Sequence, residues 1–373
     1  MSKAESKFKN SKKTNPKVHR TILDDLRKSG LKRSLRRDLK DIYLFYLDRE
    51  MRQRLSSMNR FKRWFMRFFW LLKSLILKLT PVRRILLVIS LYLTFIGPYQ
   101  SSSNNVNITF NFRLLGFTIL LLILMLELKD KLLARDELEA GRAVQFSLLP
   151  DQNPELPGWD IWMVTHPANE VGGDLVDYLH CDDGRLGLIL GDVAGKGLGA
   201  ALYMAKLQAT YRALAPSSNS LPELGSEMNK IFCRDGLPSR FISIVSLELK
   251  PNDGWIRVLN TGHLPPISIQ KGKIQSMSHG APALGIMSKP SYKEQRIKLN
   301  KGDLLLIYSD GLTEAQDEKG EFFGEESLAD LLLRNHKRTA ESIGETILDT
   351  IKQFVGDAPS TDDLSMIILK RVD

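Results

Sequence analysis

Aspartates stand at the ends of strand-like runs in this chain, and their placement constrains the fold more than any other feature. Asp192, Asp310 and Asp362 each lie beside an apolar run, and Asp174 closes a Gly-Gly-Asp sequence. One such aspartate alone is typical of a turn or a helix cap. Four of them indicate a shared cause, so we expect a fold that brings these strand ends together.

Carboxylates at strand ends, with glycines that let the backbone approach an ion, suit divalent cations and phosphate. Asp192 is followed by Val193-Ala194-Gly195-Lys196-Gly197. A nucleotide-binding P-loop is excluded because only three residues separate Gly191 from Gly195, and Gly197 replaces the required Ser or Thr. Metal-assisted phosphate hydrolysis is therefore the leading hypothesis.

The second half of the chain predicts an α+β fold. Several short strand-like runs come in succession and the helical patterns come in pairs, which favours an antiparallel layered domain over a doubly wound parallel sheet. The predicted strands are 160–165, 175–180, 185–191, 241–249, 255–260, 267–270, 295–299, 303–308 and 364–370, and the predicted helices are 199–214, 221–232, 325–335 and 339–354.

Charge is unevenly distributed along the chain. Residues 1–84 contain 25 Lys or Arg and 7 Asp or Glu, a net of +18, and the remainder nets −8, which together give the overall +10. We predict a basic cytoplasmic arm over 1–60, disordered over 1–20. Such an arm is compatible with nucleic acid, anionic lipid or neither, and the apolar segments after it favour lipid and no nucleic acid.

Two apolar runs, 85–99 and 114–126, predict a transmembrane hairpin over 84–129 once their flanks are counted. Buried core helices are the alternative, because both runs are short. Basic residues flank the pair, so the prediction is a multi-pass protein of the inner membrane with both termini and the large domain cytoplasmic. The stretch 61–80 interleaves aromatic and basic residues and predicts an interfacial amphipathic helix, or else a core helix.

Residues 130–150 predict a linker helix that enters the large domain at 151–373. The linker is well placed to transmit a signal or to form a homodimer, although a rigid spacer explains it equally well. The two cysteines, Cys181 and Cys233, fit neither a metal spacing nor a disulfide framework.

The ordered set of motifs resembles the metal-dependent protein phosphatases (PPM family), in particular the bacterial SpoIIE-type branch. The resemblance covers roughly 138–372 and rests on 139–150, Gly172-Gly173-Asp174, 191–197, 260–266, 308–315 and 361–365. It implies an antiparallel β-sandwich flanked by helices and a protein serine/threonine phosphatase with two Mn²⁺ or Mg²⁺ ions.

By this resemblance, Asp192 bridges both ions, the Val193 carbonyl contacts one, and Asp310 and Asp362 complete the other. Asp174 holds a metal directly or through water. Asp363 is included among the metal ligands and, with Asp177, supports the others. Water attacks phosphorus in line. The implied substrate is a phosphorylated antagonist of an anti-sigma factor.

Several positions qualify the resemblance. Ala194 replaces a histidine of the larger phosphatases of this family, so any acid role of that histidine does not carry over. His263 is better suited to stabilising a turn. Lys196, Arg212 and Arg240 are all candidates to orient phosphate. The alternative function is a catalytically silent partner-binding module on the membrane.

Overall fold

The computed structural model describes residues 39, 43, 46–96, 99–103, 106–237, 240–360 and 362–373. Most of the predicted basic arm, including its predicted disordered part, lies outside these residues. The chain divides into two compact units, Met1–Lys131 and Leu132–Asp373.

In chain order the described elements are α1 (Arg49–Ser56), α2 (Arg60–Lys78), α3 (Pro81–Phe95), β1 (Tyr99–Ser103), β2 (Val106–Phe110), α4 (Phe112–Leu148), β3 (Trp159–His166), β4 (Leu175–His180), β5 (Leu186–Val193), α5 (Leu198–Leu214), α6 (Leu221–Asp235), β6 (Ile242–Leu249), β7 (Trp255–Thr261), β8 (Ile267–Gln270), β9 (Lys273–Ser276), β10 (Gln295–Lys298), β11 (Leu304–Tyr308), α7 (Asp310–Thr313), α8 (Glu325–Asn335), α9 (Ala340–Val355) and β12 (Leu364–Arg371).

In the first unit, α3 packs closely against the start of α4. The Ser90 hydroxyl donates a hydrogen bond to the Gly116 carbonyl at 2.8 Å. A Cβ at Gly116 would lie 2.6 Å from the Thr94 hydroxyl, so the contact requires glycine at this position. Arg83, near the start of α3, forms ion pairs with Glu127 and Asp130 in the middle of α4.

The structure contradicts the predicted transmembrane hairpin over 84–129. Within the described ranges, no helix is both long and apolar enough to cross a membrane. Helix α3 has only 15 residues, about 22 Å at 1.5 Å per residue, against a hydrocarbon core of about 30 Å. The apolar stretch of α4 is bounded by Arg113 and Glu127. The predicted multi-pass location in the inner membrane is overturned with the hairpin.

The segment between the two apolar runs contains a small sheet, which was not predicted from the sequence. Strands β1 and β2 pair antiparallel, with Tyr99 opposite Phe110 and Ser103 opposite Val106. The sequence from Val106 to Phe110 alternates apolar and polar residues, which is the strand period that the Ser- and Asn-rich composition obscured. Helix α2 covers most of the predicted interfacial segment and none of its residues is buried. Its interfacial role stays a prediction.

The second unit is built on two five-stranded antiparallel sheets. Their strand orders are β10-β7-β6-β5-β4 and β3-β12-β11-β8-β9. Alternate residues of the central strands, such as Leu188, Val245, Ile307 and Ile367, meet in one buried cluster between the sheets. The other set of alternating residues faces helices, so these strands are apolar on both sides.

Pairs of helices cover the outer faces of the sandwich. Helices α5 and α6 pack on the first sheet through residues such as Met204 and Met228. Helices α8 and α9 pack on the second sheet through residues such as Leu332 and Ile347. Each pair buries one apolar stripe, which is the periodicity that the sequence predicted. The predicted α+β antiparallel sandwich flanked by helices is confirmed.

The sequence did not predict strand β9. Its four residues, Lys273–Ser276, are all exposed and lack a hydrophobic alternation. The strand exists because Lys271 and Gly272, both with positive φ, form a tight turn that returns the chain along β8. Turn geometry, rather than burial, determines this strand.

Replacing Gly344 with alanine tests the packing of α9 on the second sheet. A Cβ at Gly344 would lie 1.9 Å from the Trp162 ring. We expect Gly344→Ala to lower the free energy of unfolding by about 1–3 kcal/mol, measured by urea denaturation. Glu345→Ala, at the exposed neighbouring position, is the control. Equal stability of Gly344→Ala and Glu345→Ala would contradict this packing.

Candidate active site

The pleat of the strands brings Asp174 and Asp192 to the same end of the sandwich. Leu188 and Leu190 of β5 face the other sheet, so the period of two places Asp192 on the same face at the strand end. Leu175 of β4 pairs with Gly191, which brings the preceding Asp174 next to Asp192. Both carboxylates therefore lie between the two sheets.

Asp192 shares a cavity of about 530 Å³ with two other predicted aspartates. Asp310 enters it from the first residue of α7, directly after β11, and Asp362 enters it from the segment before β12. The remaining lining residues are Val193, Ala194, Gly195, Lys196, Phe241, Ser243, Gly262, His263, Leu264, Pro265, His279 and Glu314. Three elements that are distant in sequence thus contribute a carboxylate to one cavity.

Asp174 is buried next to this cavity. Its Oδ2 atom is buried without a hydrogen-bond partner in the described part of the chain. Burial, followed by the charge of Asp192, raises the pKa of Asp174 well above its usual range, and the hydroxyls of Ser365 and Ser309 act in the opposite direction. A buried carboxyl group in such surroundings is costly to ionise unless a cation compensates its charge.

Asp192 and Asp310 are also difficult to ionise in the cavity. Burial, with repulsion from Asp310 and Asp362, raises the pKa of Asp192 to about 6. Burial and then the charge of Asp362 raise the pKa of Asp310. The carboxylates are close enough to repel one another, which raises their pKa values. A bound cation would have the opposite effect, because it stabilises the ionised carboxylates.

Asp363 serves as an anchor for the loop that carries Asp174. One of its oxygens accepts a hydrogen bond from the Ala168 N–H at 2.8 Å, and the other accepts from Gly173 at 2.7 Å and Asp174 at 3.3 Å. A Cβ at Gly172 would lie 2.4 Å from this carboxylate, so the Gly-Gly-Asp sequence makes room for it. Backbone donors therefore engage both oxygens of Asp363.

Gln145 is a site residue that sequence reasoning missed. It lies on the last turns of α4, is buried, and holds Gly172 from both sides: its amide N–H donates to the Gly172 carbonyl at 2.8 Å, and its amide oxygen accepts from the Gly172 N–H at 3.1 Å. No sequence pattern marked it, because its burial and its contact with Gly172 are visible only in the structure. The linker helix is thus bonded to the loop of Asp174.

The predicted basic residues have different environments. Arg212 forms two hydrogen bonds of 2.8 Å to Asp177, whose side chain is fully buried, and neither residue lines the cavity. Lys196 lines the cavity and donates to Asp362 at 2.9 Å. Arg240 does not itself line the cavity, but its Nη1 donates to the carbonyl of the lining residue Ala194 at 3.1 Å. The structure separates Asp177 and Arg212 from the other predicted residues.

His263 is a structural residue of the cavity wall. Its Nε2 lies 3.0 Å from the Tyr308 carbonyl and therefore donates to it, so Nδ1 accepts from the Ser243 hydroxyl at 2.8 Å. Burial lowers the pKa of His263 to about 4. The ring is neutral near pH 7 and both nitrogens are engaged, which fixes the end of β11 just before Asp310.

The ligand chemistry of the cavity suits a divalent cation. Carboxylate and carbonyl oxygens are the ligands that Mg²⁺ and Mn²⁺ prefer. The Asp174 Oδ2 atom, which is buried without a hydrogen-bond partner in the described part of the chain, is an oxygen of this kind. Among the described residues, however, no three His, Cys, Asp or Glu side chains already stand in the arrangement of a metal site. The residues fit such ions by charge and ligand type.

Replacing Asp192 with asparagine tests the free-energy cost of ionising Asp192 in the cavity. The side chain titrates near pH 4 when unfolded and near pH 6 when folded, so between these values the folded state binds more protons and stability falls as pH rises. We expect Asp192→Asn to raise the free energy of unfolding at pH 8 in EDTA by about 1–3 kcal/mol. The gain should vanish near pH 4.

Urea denaturation at both pH values measures this difference. The exposed Asp349→Asn provides the charge-matched control. An Asp192→Asn variant that is less stable than wild type at pH 8 would show that ionised Asp192 does not destabilise the folded protein.

Comparison with known proteins identifies the family of the second unit. Residues 182–372, just over half of the chain, match the family described as Stage II sporulation protein E (SpoIIE). The matched segment contains Asp192, Asp310 and Asp362, and it begins after Asp174. The resemblance inferred from the motifs is therefore confirmed.

Two relatives and one solved structure extend this comparison. Protein IcfG of Synechocystis sp. is 28% identical over 277 residues, which cover 66% of this chain and 43% of that protein. Phosphoserine phosphatase RsbU of Bacillus subtilis is 25% identical over 239 residues, which cover 64% of this chain and 70% of RsbU. The chain thus spans less than half the length of one of these relatives.

The SiaA-PP2C domain of Pseudomonas aeruginosa supports the fold assignment. It superimposes with a TM-score of 0.57 at 21% identity, over 65% of this chain and 99% of that domain. At this identity the likeness speaks for the fold alone, which is PP2C-like with two antiparallel sheets. The chain belongs to the SpoIIE family of PP2C-type phosphatase domains.

Proposed function

We propose that this chain is a metal-dependent protein serine/threonine phosphatase of a bacterial signalling pathway. The observation that carries the proposal is the convergence of Asp192, Asp310 and Asp362 on one cavity, next to the buried Asp174. A cavity wall of mutually repelling carboxylates suits a cationic cofactor better than it suits an anionic substrate alone. The relative named as a phosphoserine phosphatase supports the same chemistry.

We assign two Mn²⁺ or Mg²⁺ ions to the four aspartates and the Val193 carbonyl. Such ions, when bound, supply positive charge to phosphoryl oxygens and activate water for attack on phosphorus. Asp363 is assigned to support rather than to metal binding, because backbone N–H groups already engage both of its oxygens. It holds the loop that positions Asp174.

The remaining residues of the cavity shape and hold the reaction site. The neutral His263 does not donate a proton to the leaving group, because its Nε2–H is bonded to the Tyr308 carbonyl. Its role is to hold the turn that presents Asp310. Lys196 balances the charge of Asp362 at the cavity wall. These contacts organise the carboxylates before the substrate arrives, which lowers the reorganisation needed for catalysis.

The proposed substrate is a phosphorylated antagonist of an anti-sigma factor. This assignment follows the family resemblance and the likeness to RsbU. Incubating the full chain with a set of phosphorylated antagonist proteins tests it. One of them should lose phosphate at least about tenfold faster than an unrelated phosphoserine protein, and equal rates would contradict the substrate assignment while leaving the phosphatase activity intact.

Turnover of a phosphoserine peptide by the full chain tests the enzymatic activity itself. We expect phosphate release with Mn²⁺ or Mg²⁺, none in EDTA, and a loss on the order of 100-fold or more in Asp192→Asn. Asp349→Asn should retain full activity. Metal-independent turnover would contradict the two-ion assignment. Binding of a phosphoprotein without turnover would instead support the alternative, a catalytically silent partner-binding module.

We also propose that α4 forms a homodimer and relays its state to the site. Exposed apolar residues, among them Leu132, Leu133 and Val144, lie along this helix. Gln145, near the end of the helix, is hydrogen-bonded to Gly172. Pairing of two copies would bury these side chains.

Light scattering of the full chain tests the dimer. The chain should elute with twice its monomer mass of 42.3 kDa, and Leu133→Glu should shift it towards monomer because a charge enters the apolar seam. The exposed Glu137→Lys is the control. A wild-type monomer at micromolar concentration would contradict pairing through α4.

A further inference from the structure

We infer that Arg240 positions the phosphoryl group of the substrate, an assignment that rests on the proposed phosphatase function. The sequence left three basic candidates for this role, and the structure distinguishes them. Arg212 is committed to the buried Asp177, and Lys196 is engaged with Asp362. Arg240 forms no ion pair with a carboxylate among the described residues.

The guanidinium of Arg240 is held in place before any substrate binds. Its Nη1 donates to the Ala194 carbonyl at 3.1 Å, and its centre lies 5.9 Å from the Tyr203 ring. The side chain is half-buried. A guanidinium offers five N–H donors in a rigid fork, so one carbonyl partner leaves donors for a planar or tetrahedral oxyanion.

Two glycines make room for this guanidinium. A Cβ at Gly195 would lie 2.7 Å from Nη1, and a Cβ at Gly199 would lie 2.6 Å from Nη2. Gly195 and Ala194 both line the cavity that contains the aspartates, as does Phe241, which follows Arg240 in sequence. The guanidinium therefore lies against the segment that joins Asp192 to α5.

The electrostatic surroundings of Arg240 favour an anion. Gly199 is the second residue of α5, a helix of 17 residues, so the guanidinium lies at the positive end of the helix dipole. A cation at this end is unfavourable by itself. An anionic phosphoryl oxygen bound to the remaining N–H donors of the guanidinium, near the start of α5, would offset this repulsion, which is why we assign the substrate phosphate to this place.

The test compares Arg240→Ala and Arg240→Lys with wild type in the full chain with Mn²⁺. The probes are p-nitrophenyl phosphate for KM and kcat, and inorganic phosphate for affinity by calorimetry. We expect Arg240→Ala to raise KM and weaken phosphate binding about tenfold or more, with a smaller change in kcat. Arg240→Lys should be intermediate, because an ammonium keeps the charge but loses the fork. Arg234→Ala, which removes an exposed arginine of α6, is the control.

A second variant displaces the guanidinium without changing it. The added methyl of Gly199→Ala would occupy the space of Nη2, so this variant should also raise KM in wild type and have no further effect in Arg240→Ala. Such non-additivity would not arise from two independent structural defects.

Two outcomes overturn the inference. One is unchanged KM and phosphate affinity in Arg240→Ala; the other is a fall in kcat and melting temperature with KM unchanged, which would make Arg240 a structural prop for Ala194. Failure of the proposed function looks different, because wild type and Arg234→Ala would then both lack turnover. Phosphate affinity still tests Arg240 in that case.

Discussion

The burial of Asp174 between two sheets is the constraint on which the rest of the site depends. A carboxyl group with an unpartnered oxygen, close to Asp192, has a raised pKa and resists ionisation. Placing it there costs free energy that the hydroxyls of Ser365 and Ser309 offset only in part. The fold tolerates this arrangement because the surrounding sandwich is extensively packed, and the cations that we propose for this site would compensate the charge.

The sandwich creates the site through the ends of its strands. Asp192 extends from the first sheet, whereas Asp310 and Asp362 adjoin neighbouring strands of the second, so closing the sandwich brings the charges together. Asp363 ties the loop of Asp174 to the start of β12, and Gln145 ties the same loop to α4. A change in the helix can therefore reach the site through few contacts, which is the physical basis of the proposed relay.

The sequence predicted the second unit well because its signals are local. Strands β5 and β11 are apolar runs that end at an aspartate, and these runs define both the element and the site residue. Asp363 was harder to interpret, because its three backbone hydrogen bonds depend on a loop almost 200 residues away in sequence. Gln145 was missed for the same reason.

The sequence predicted the first unit less well. The hydrophobicity of α3 and α4 suggested membrane spans, but helix length and flanking charges, which decide that question, depend on where each helix begins and ends. Strand β9 of the second unit was also missed, because a turn at Lys271 and Gly272 specifies it without any hydrophobic pattern.

Calorimetric titration of Mn²⁺ into the full chain detects the cations themselves rather than their effect on a reaction. We expect two ions per chain in wild type and a loss of binding when Asp192, Asp310 or Asp362 is replaced with asparagine, with Asp349→Asn unchanged. Wild-type stoichiometry and affinity in all three cavity variants would show that these carboxylates do not hold the cations.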